Sequence, residues 1–135
     1  MNRKHAWLAA ALLLAGAALP ALAHHSFAVF FDDKRSVSVT GVVEEFQFRN
    51  PHGLIRLKVK DEEGREQVWK AETNSPSIME RRGWKRDTIK PGETITVEGW
   101  PARDGSNYLR MRAARRADGT LIGRVAAAET VEEQK

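Results

Sequence analysis

A chain of 135 residues with 22 Lys/Arg, 18 Asp/Glu and no cysteine has room for one modest core. It has no thiolate metal site, no redox CxxC and no cysteine nucleophile. The formal charge of +4 does not argue for nucleic acid, because part of the basic excess falls in the leader.

Arg3 and Lys4 open the chain. An apolar run follows over residues 6–19, then Pro20, and Ala21 and Ala23 fit an A-x-A cleavage site. This reads as an export signal over residues 1–23, with His24 as the first residue of the mature protein. The apolar run falls short of the roughly 20 residues that span a bilayer. The expectation is a soluble periplasmic protein with no stable membrane insertion after cleavage. Arg3-Lys4 is not a twin-arginine pair, which favours the general secretory route. Cleavage leaves 20 Lys/Arg against 18 Asp/Glu. An exported domain without disulfides must be stable through packing alone.

Residues 24–35 read as an N-terminal arm, apolar at Phe27, Val29, Phe30 and Phe31, ending in an Asp32-Asp33-Lys34-Arg35 turn. A barrel domain is expected over 36–125 and a disordered acidic tail over 126–135. The first strand signal covers 36–48. Val37 and Val39 share one face, Val42, Phe46 and Phe48 the other, and the phase slip near Gly41 reads as a β-bulge. Asn50-Pro51-His52-Gly53 is a turn by composition. The second strand, 54–60, turns Ile55, Leu57 and Val59 inward, and Asp61-Glu62-Glu63-Gly64 closes a hairpin. The third covers 66–73.

A short helix follows, capped by Asn74 or Ser75, with Pro76 in its first turn, Ile78 and Met79 as anchors, and Gly83 at its end. After a Lys90-Pro91-Gly92-Glu93 turn, the fourth strand (94–100) turns Ile95 and Val97 inward. After a loop over 103–107, the fifth (108–115) turns Leu109, Met111 and Ala113 inward. Ala117-Asp118-Gly119-Thr120 leads into a short last strand through Leu121 and Ile122. Three strands, a helix and two strands is the order of an OB-fold. The expected class is all-β with one short helix, a small OB-fold-like five-stranded antiparallel barrel. Another small antiparallel barrel or sandwich is the alternative.

His24-His25-Ser26-Phe27, Thr40-Gly41-Val42-Val43 with Phe46, Asn50-Pro51-His52, Ser75-Pro76, Gly83-Trp84, Lys90-Pro91-Gly92-Glu93 and Asp104-Gly105-Ser106-Asn107 occur in that order. In this the chain resembles a family of exported bacterial proteins that carries only a domain-of-unknown-function label. The resemblance implies a compact, OB-like, periplasmic domain and no established reaction.

Three histidines remain after cleavage: His24, His25 and His52. Imidazole nitrogens without thiolates suit copper, zinc or nickel, and favour Cu(II) over Cu(I). A mature His24 offers its α-amine and ring nitrogen. His25 offers a second mode, in which amine, deprotonated amide and ring wrap a square-planar ion. His52 lies in a turn and is equally at home there as a residue bonded to backbone. The favoured reading is a periplasmic binding module for a divalent transition metal, copper first.

The rival is a metal-free accessory protein that takes a periplasmic protein or a small anionic ligand. Its aromatic-basic face would comprise Trp84, Trp100, Tyr108, Arg110 and Arg112. Its tryptophans read equally well as core. Export argues against nucleic acid. Glu44 shares the parity of Val42 and Phe46, and if inward needs a partner such as Lys70 or an arginine. No carboxylate pair, nucleophile elbow or phosphate loop is visible, so no catalytic residue is assigned. An enzyme such as a mononuclear copper oxidase comes third.

Overall fold

The computed structural model describes residues 27–125. The expected signal, His24, His25 and the tail from residue 126 lie outside the described residues. The chain divides into two compact units, Met1–Phe30 and Phe31–Lys135. Of the first, the described part is one helical turn, α1, over residues 27–30, with Val29 and Phe30 exposed. It is a helix the sequence pattern did not signal. The second unit carries five strands and a helix: β1 (Val37–Gln47), β2 (Leu54–Lys60), β3 (Glu66–Glu72), α2 (Pro76–Arg81), β4 (Thr94–Pro101) and β5 (Tyr108–Arg116). Phe31–Arg35, expected in the arm, belong to this second unit. No helix among the described residues is long and apolar enough to cross a membrane.

The strands close into a barrel in the order β1-β2-β3-β5-β4. This is the expected OB-like architecture with one difference. Four pairings are antiparallel, but β3 and β5 run parallel, Lys70 opposite Tyr108 and Glu72 opposite Arg110. The helix crosses between β3 and β4, which lets β5 return beside β3 in the same direction.

β1 pairs with β4 over Val37 to Val42 and with β2 over Val42 to Gln47. Its register shifts between Val43 and Glu45. The bulge is therefore at Glu44, three residues beyond the expected position. Val39, Gly41 and Val43 point inward before it, and Phe46 and Phe48 after it. Val42, expected in the core, is 40% exposed, while Val43 is buried. Gly41 does not break the phase. A Cβ there would lie 2.6 Å from the Lys58 carbonyl oxygen, so the glycine permits the close crossing of β1 over β2. Glu44 is not inward. It accepts a 3.0 Å hydrogen bond from Arg56 Nε at the surface.

Ile55, Leu57, Ile95, Val97, Leu109 and Met111 form the core as expected, with Phe46 and Val59 partly buried against it. In β5 a second register shift, opposite Glu98 and Gly99, exchanges Ala113 for Ala114 as the buried alanine. Gly99 is obligatory there, since a Cβ would lie 2.0 Å from the Arg110 carbonyl oxygen. The expected last strand reduces to a bridge between Arg115 and Leu121, with Ile122 buried beside Ala114. Met79 of α2, with Trp84 and Ile89 from the segment after it, joins the core. The Trp84 ring meets Phe46 edge-on at 5.8 Å.

Ile55→Ala and Val97→Ala should each lower unfolding free energy by about 2–4 kcal/mol in urea titrations. Val42→Ala should change it by less than about 0.5 kcal/mol. A larger loss at Val42 than at Ile55 would overturn the bulge assignment.

Candidate functional site

The turn between β1 and β2 is tied to the end of β3 by backbone. Thr73 N donates to Gly53 O at 2.9 Å, and Gly53 N to Asn74 O at 3.3 Å. A Cβ on Gly53 would fall 2.5 Å from Thr73 Oγ1, so only glycine lets the turn lie this close. The approach carries His52 to Glu72, the last residue of β3. His52 Nδ1 is 3.0 Å from Glu72 Oε1.

Glu72 is the hub of this end of the barrel. Its Oε1 also accepts from Arg110 Nη1 at 2.5 Å, and its Oε2 accepts from the Tyr108 hydroxyl. Arg110 donates further to Thr73 O at 3.0 Å and to Asn74 Oδ1 at 2.6 Å. The parallel β3–β5 pairing makes this possible, because it sets Arg110 opposite Glu72 and Tyr108 in the adjacent row, opposite Lys70. Glu72 and Arg110 are largely buried, with side-chain exposures of 19% and 13%, whereas His52 is 48% exposed. A carboxylate that accepts from an arginine and a phenol is well satisfied at such depth.

His52 Nδ1 faces a carboxylate oxygen; in the tautomer with the proton on Nδ1, Nε2 carries the lone pair. Metal-binding histidines are oriented by this kind of outer carboxylate. Of the expected ligands His52 alone lies among the described residues, where no three His, Asp or Glu side chains gather as a metal cluster.

The five residues expected to form an aromatic-basic face separate into three groups. Trp84 is 2% exposed and belongs to the core. The turn after α2 carries it inward, where Gly123 leaves room for the indole. Trp100 and Arg112 lie together on the outer face of β4 and β5, the guanidinium 5.2 Å from the ring centroid. With Asp33, Lys34, Arg35 and Ser36 they line a depression of about 470 Å³. Tyr108 and Arg110 form the third group, bound to Glu72. Tyr108 also meets Phe31 edge-on at 5.3 Å. Glu72 and Asn74, which organise the cluster, had no sequence signal beyond an outward position on β3 and a place in the helix cap.

Burial first, then the Glu72 hydrogen bond and the Glu72 charge, holds the Tyr108 phenol well above its ordinary value of 10.0, against an opposing pull from Arg110. The folded protein thus keeps this proton more tightly than the unfolded chain. The resulting stability is full below about pH 10 and is lost as pH rises above it. Tyr108 is the only tyrosine, so its ionisation is directly visible. In alkaline titration the tyrosinate absorbance should rise together with the loss of tertiary circular dichroism. A rise near pH 10 in protein that is still folded would contradict the Glu72 contact.

Comparison with curated proteins gives no match. Comparison with family models gives one described as a family of unknown function (DUF6152), matched over residues 5–110. That span takes in His24 and His25, the Asn50–Gly53 turn, all of β1 to β4, and Tyr108 and Arg110 of β5. The chain belongs to this family of unknown function, DUF6152.

Proposed function

We propose that the protein is an exported periplasmic binding module for a divalent transition metal, copper first, with imidazole nitrogens of His24, His25 and His52 as its ligands. The observation that carries this reading is the 3.0 Å contact between His52 Nδ1 and Glu72. A carboxylate beside one ring nitrogen is the kind of outer partner that supports a metal-binding histidine through the other. The other support is chemical: a cleaved His24 supplies an amine beside two imidazoles. The proposal includes no reaction.

A second reading, a metal-free interaction module, is favoured by Trp100 and Arg112 beside Lys34 and Arg35. Trp84 contributes nothing to such a surface, and the Arg110 guanidinium is committed to Glu72, Thr73 and Asn74.

Intact mass of the periplasmic protein should correspond to loss of residues 1–23. Full-length chain recovered in membranes would remove the free amine from the ligand set. The processed protein should bind about one Cu(II), less tightly as pH falls through the imidazole range, because protons compete for the ligands. His52→Ala should weaken binding by about tenfold or more. Unchanged affinity would make His52 a turn residue and leave His24 and His25 as the ligands. A His24→Ala, His25→Ala double variant that binds Cu(II) as tightly as the parent would overturn the metal reading in favour of the interaction module.

A further inference from the structure

The outward side of β2 and β3 carries a groove that the metal reading does not use. It has a volume of about 460 Å³ and is lined by Leu54, Val68, Lys70, Ser106, Asn107 and Tyr108. The register explains its composition. Three cross-strand rows run over the sheet here: Leu54–Glu72–Arg110, Arg56–Lys70–Tyr108 and Lys58–Val68. Leu54 and Val68 supply aliphatic surface, and Val68 is 39% exposed, uncommon for a large aliphatic residue in this barrel.

Tyr108 supplies one ring. Its hydroxyl is already donated to Glu72 and its edge contact with Phe31 fixes it, so the ring rather than the hydroxyl is what the groove receives. The polar rim is also held in place. Ser106 Oγ donates to Asp104 at 2.6 Å, Asn107 Nδ2 donates to Gln67 at 3.1 Å, and Asn107 O accepts from Lys70 N at 2.9 Å.

The charge in this groove is unmatched. Lys70 forms no ion pair among the described residues, and no carboxylate lines the groove. Its cross-strand neighbour is Arg56, a like charge, which is unfavourable at that position. Arg56 is relieved by Glu44 at 3.0 Å, and Lys58 by Glu66 at 3.6 Å. Of the cations, Lys70 is the one that lines the groove, beside Leu54, Val68 and the Tyr108 ring.

We propose that this groove binds a small organic anion with a planar apolar body, an aromatic monocarboxylate. The volume lies within the range of small-molecule sites. One lysine matches one negative charge. Leu54, Val68 and the Tyr108 ring offer a face to a flat ring, and the prior fixing of Tyr108, Ser106 and Asn107 lowers the ordering cost of binding. Single-stranded nucleic acid needs a succession of stacking rings along a positive track, and this groove has one ring and one cation. The proposal stands apart from the metal reading, since none of the histidines takes part.

The test is a titration of the isotope-labelled processed protein with benzoate at neutral pH and in the presence of a chelator, followed through backbone amide shifts. Benzyl alcohol (a ring without charge) and acetate (a charge without a ring) serve as comparisons. Benzoate should give saturable shifts centred on residues 54, 68–70 and 106–108, with a dissociation constant of about 1 mM or tighter. Both comparison compounds should bind at least about tenfold more weakly. Lys70→Gln should weaken benzoate about tenfold. Lys60→Gln, which removes the same charge from the far end of β2, should leave it unchanged. Both positions are exposed, and the amide spectrum itself reports that each variant is folded. Absent or scattered shifts, acetate or benzyl alcohol binding as well as benzoate, or equal effects of the two lysine variants would each overturn the proposal.

Discussion

Everything in this barrel depends on β1 being shared between two neighbours. This five-stranded sheet closes on itself and so leaves no open edge. The strand that closes it must pair with β4 along one half and with β2 along the other. Val42 is the hinge between the halves and takes a partner in each strand. A regular strand bent this far would present the wrong side chains to the interior. The extra residue at Glu44 resets the alternation, so the apolar residues on both sides of the bend face one core.

The same closure decides what stands at the end of the barrel. Because β5 returns parallel to β3, the last residue of β3 lies opposite Arg110, with Tyr108 in the row before it. A carboxylate there receives the guanidinium from its own row and the phenol from the next. The turn between β1 and β2 adds an imidazole through the close contact of Gly53 with Thr73. The cluster is thus a product of topology, assembled from three segments that are distant in sequence. It adjoins the groove over β2 and β3 through Tyr108, which lines that groove and donates its hydroxyl to Glu72.

Much of the fold was legible in the sequence. The alternation of β2 and β4 has one solution, and Pro76 marks the first turn of the helix, with the cap falling on Ser75 rather than Asn74. The phase of β1 has two solutions, because Val42 and Val43 are both apolar and either can be the inward one. Gly41 drew the irregularity to itself, although its role is to allow a close crossing. Ala113 and Ala114 pose the same ambiguity in β5, and only pairing with Gly99 resolves it. The cations around Trp84 left it open between surface and core. The turn after the helix, which points it inward, has no composition of its own. His52 was recognisable as a turn residue with a useful side chain, but its partner was not. One glutamate among 18 acidic residues carries no mark of a neighbour 20 positions away.

Gly99 links the fold to its surface in a further way. Its missing side chain leaves space for the backbone of Arg110, the residue that anchors Glu72. Any larger residue at that position must push the arginine's main chain away from the sheet and loosen the carboxylate that holds both Tyr108 and His52. A genetic screen for lost binding would therefore recover substitutions at a glycine that touches no ligand. On a map of such alleles it would stand beside the site residues, although its whole contribution is an absence of atoms.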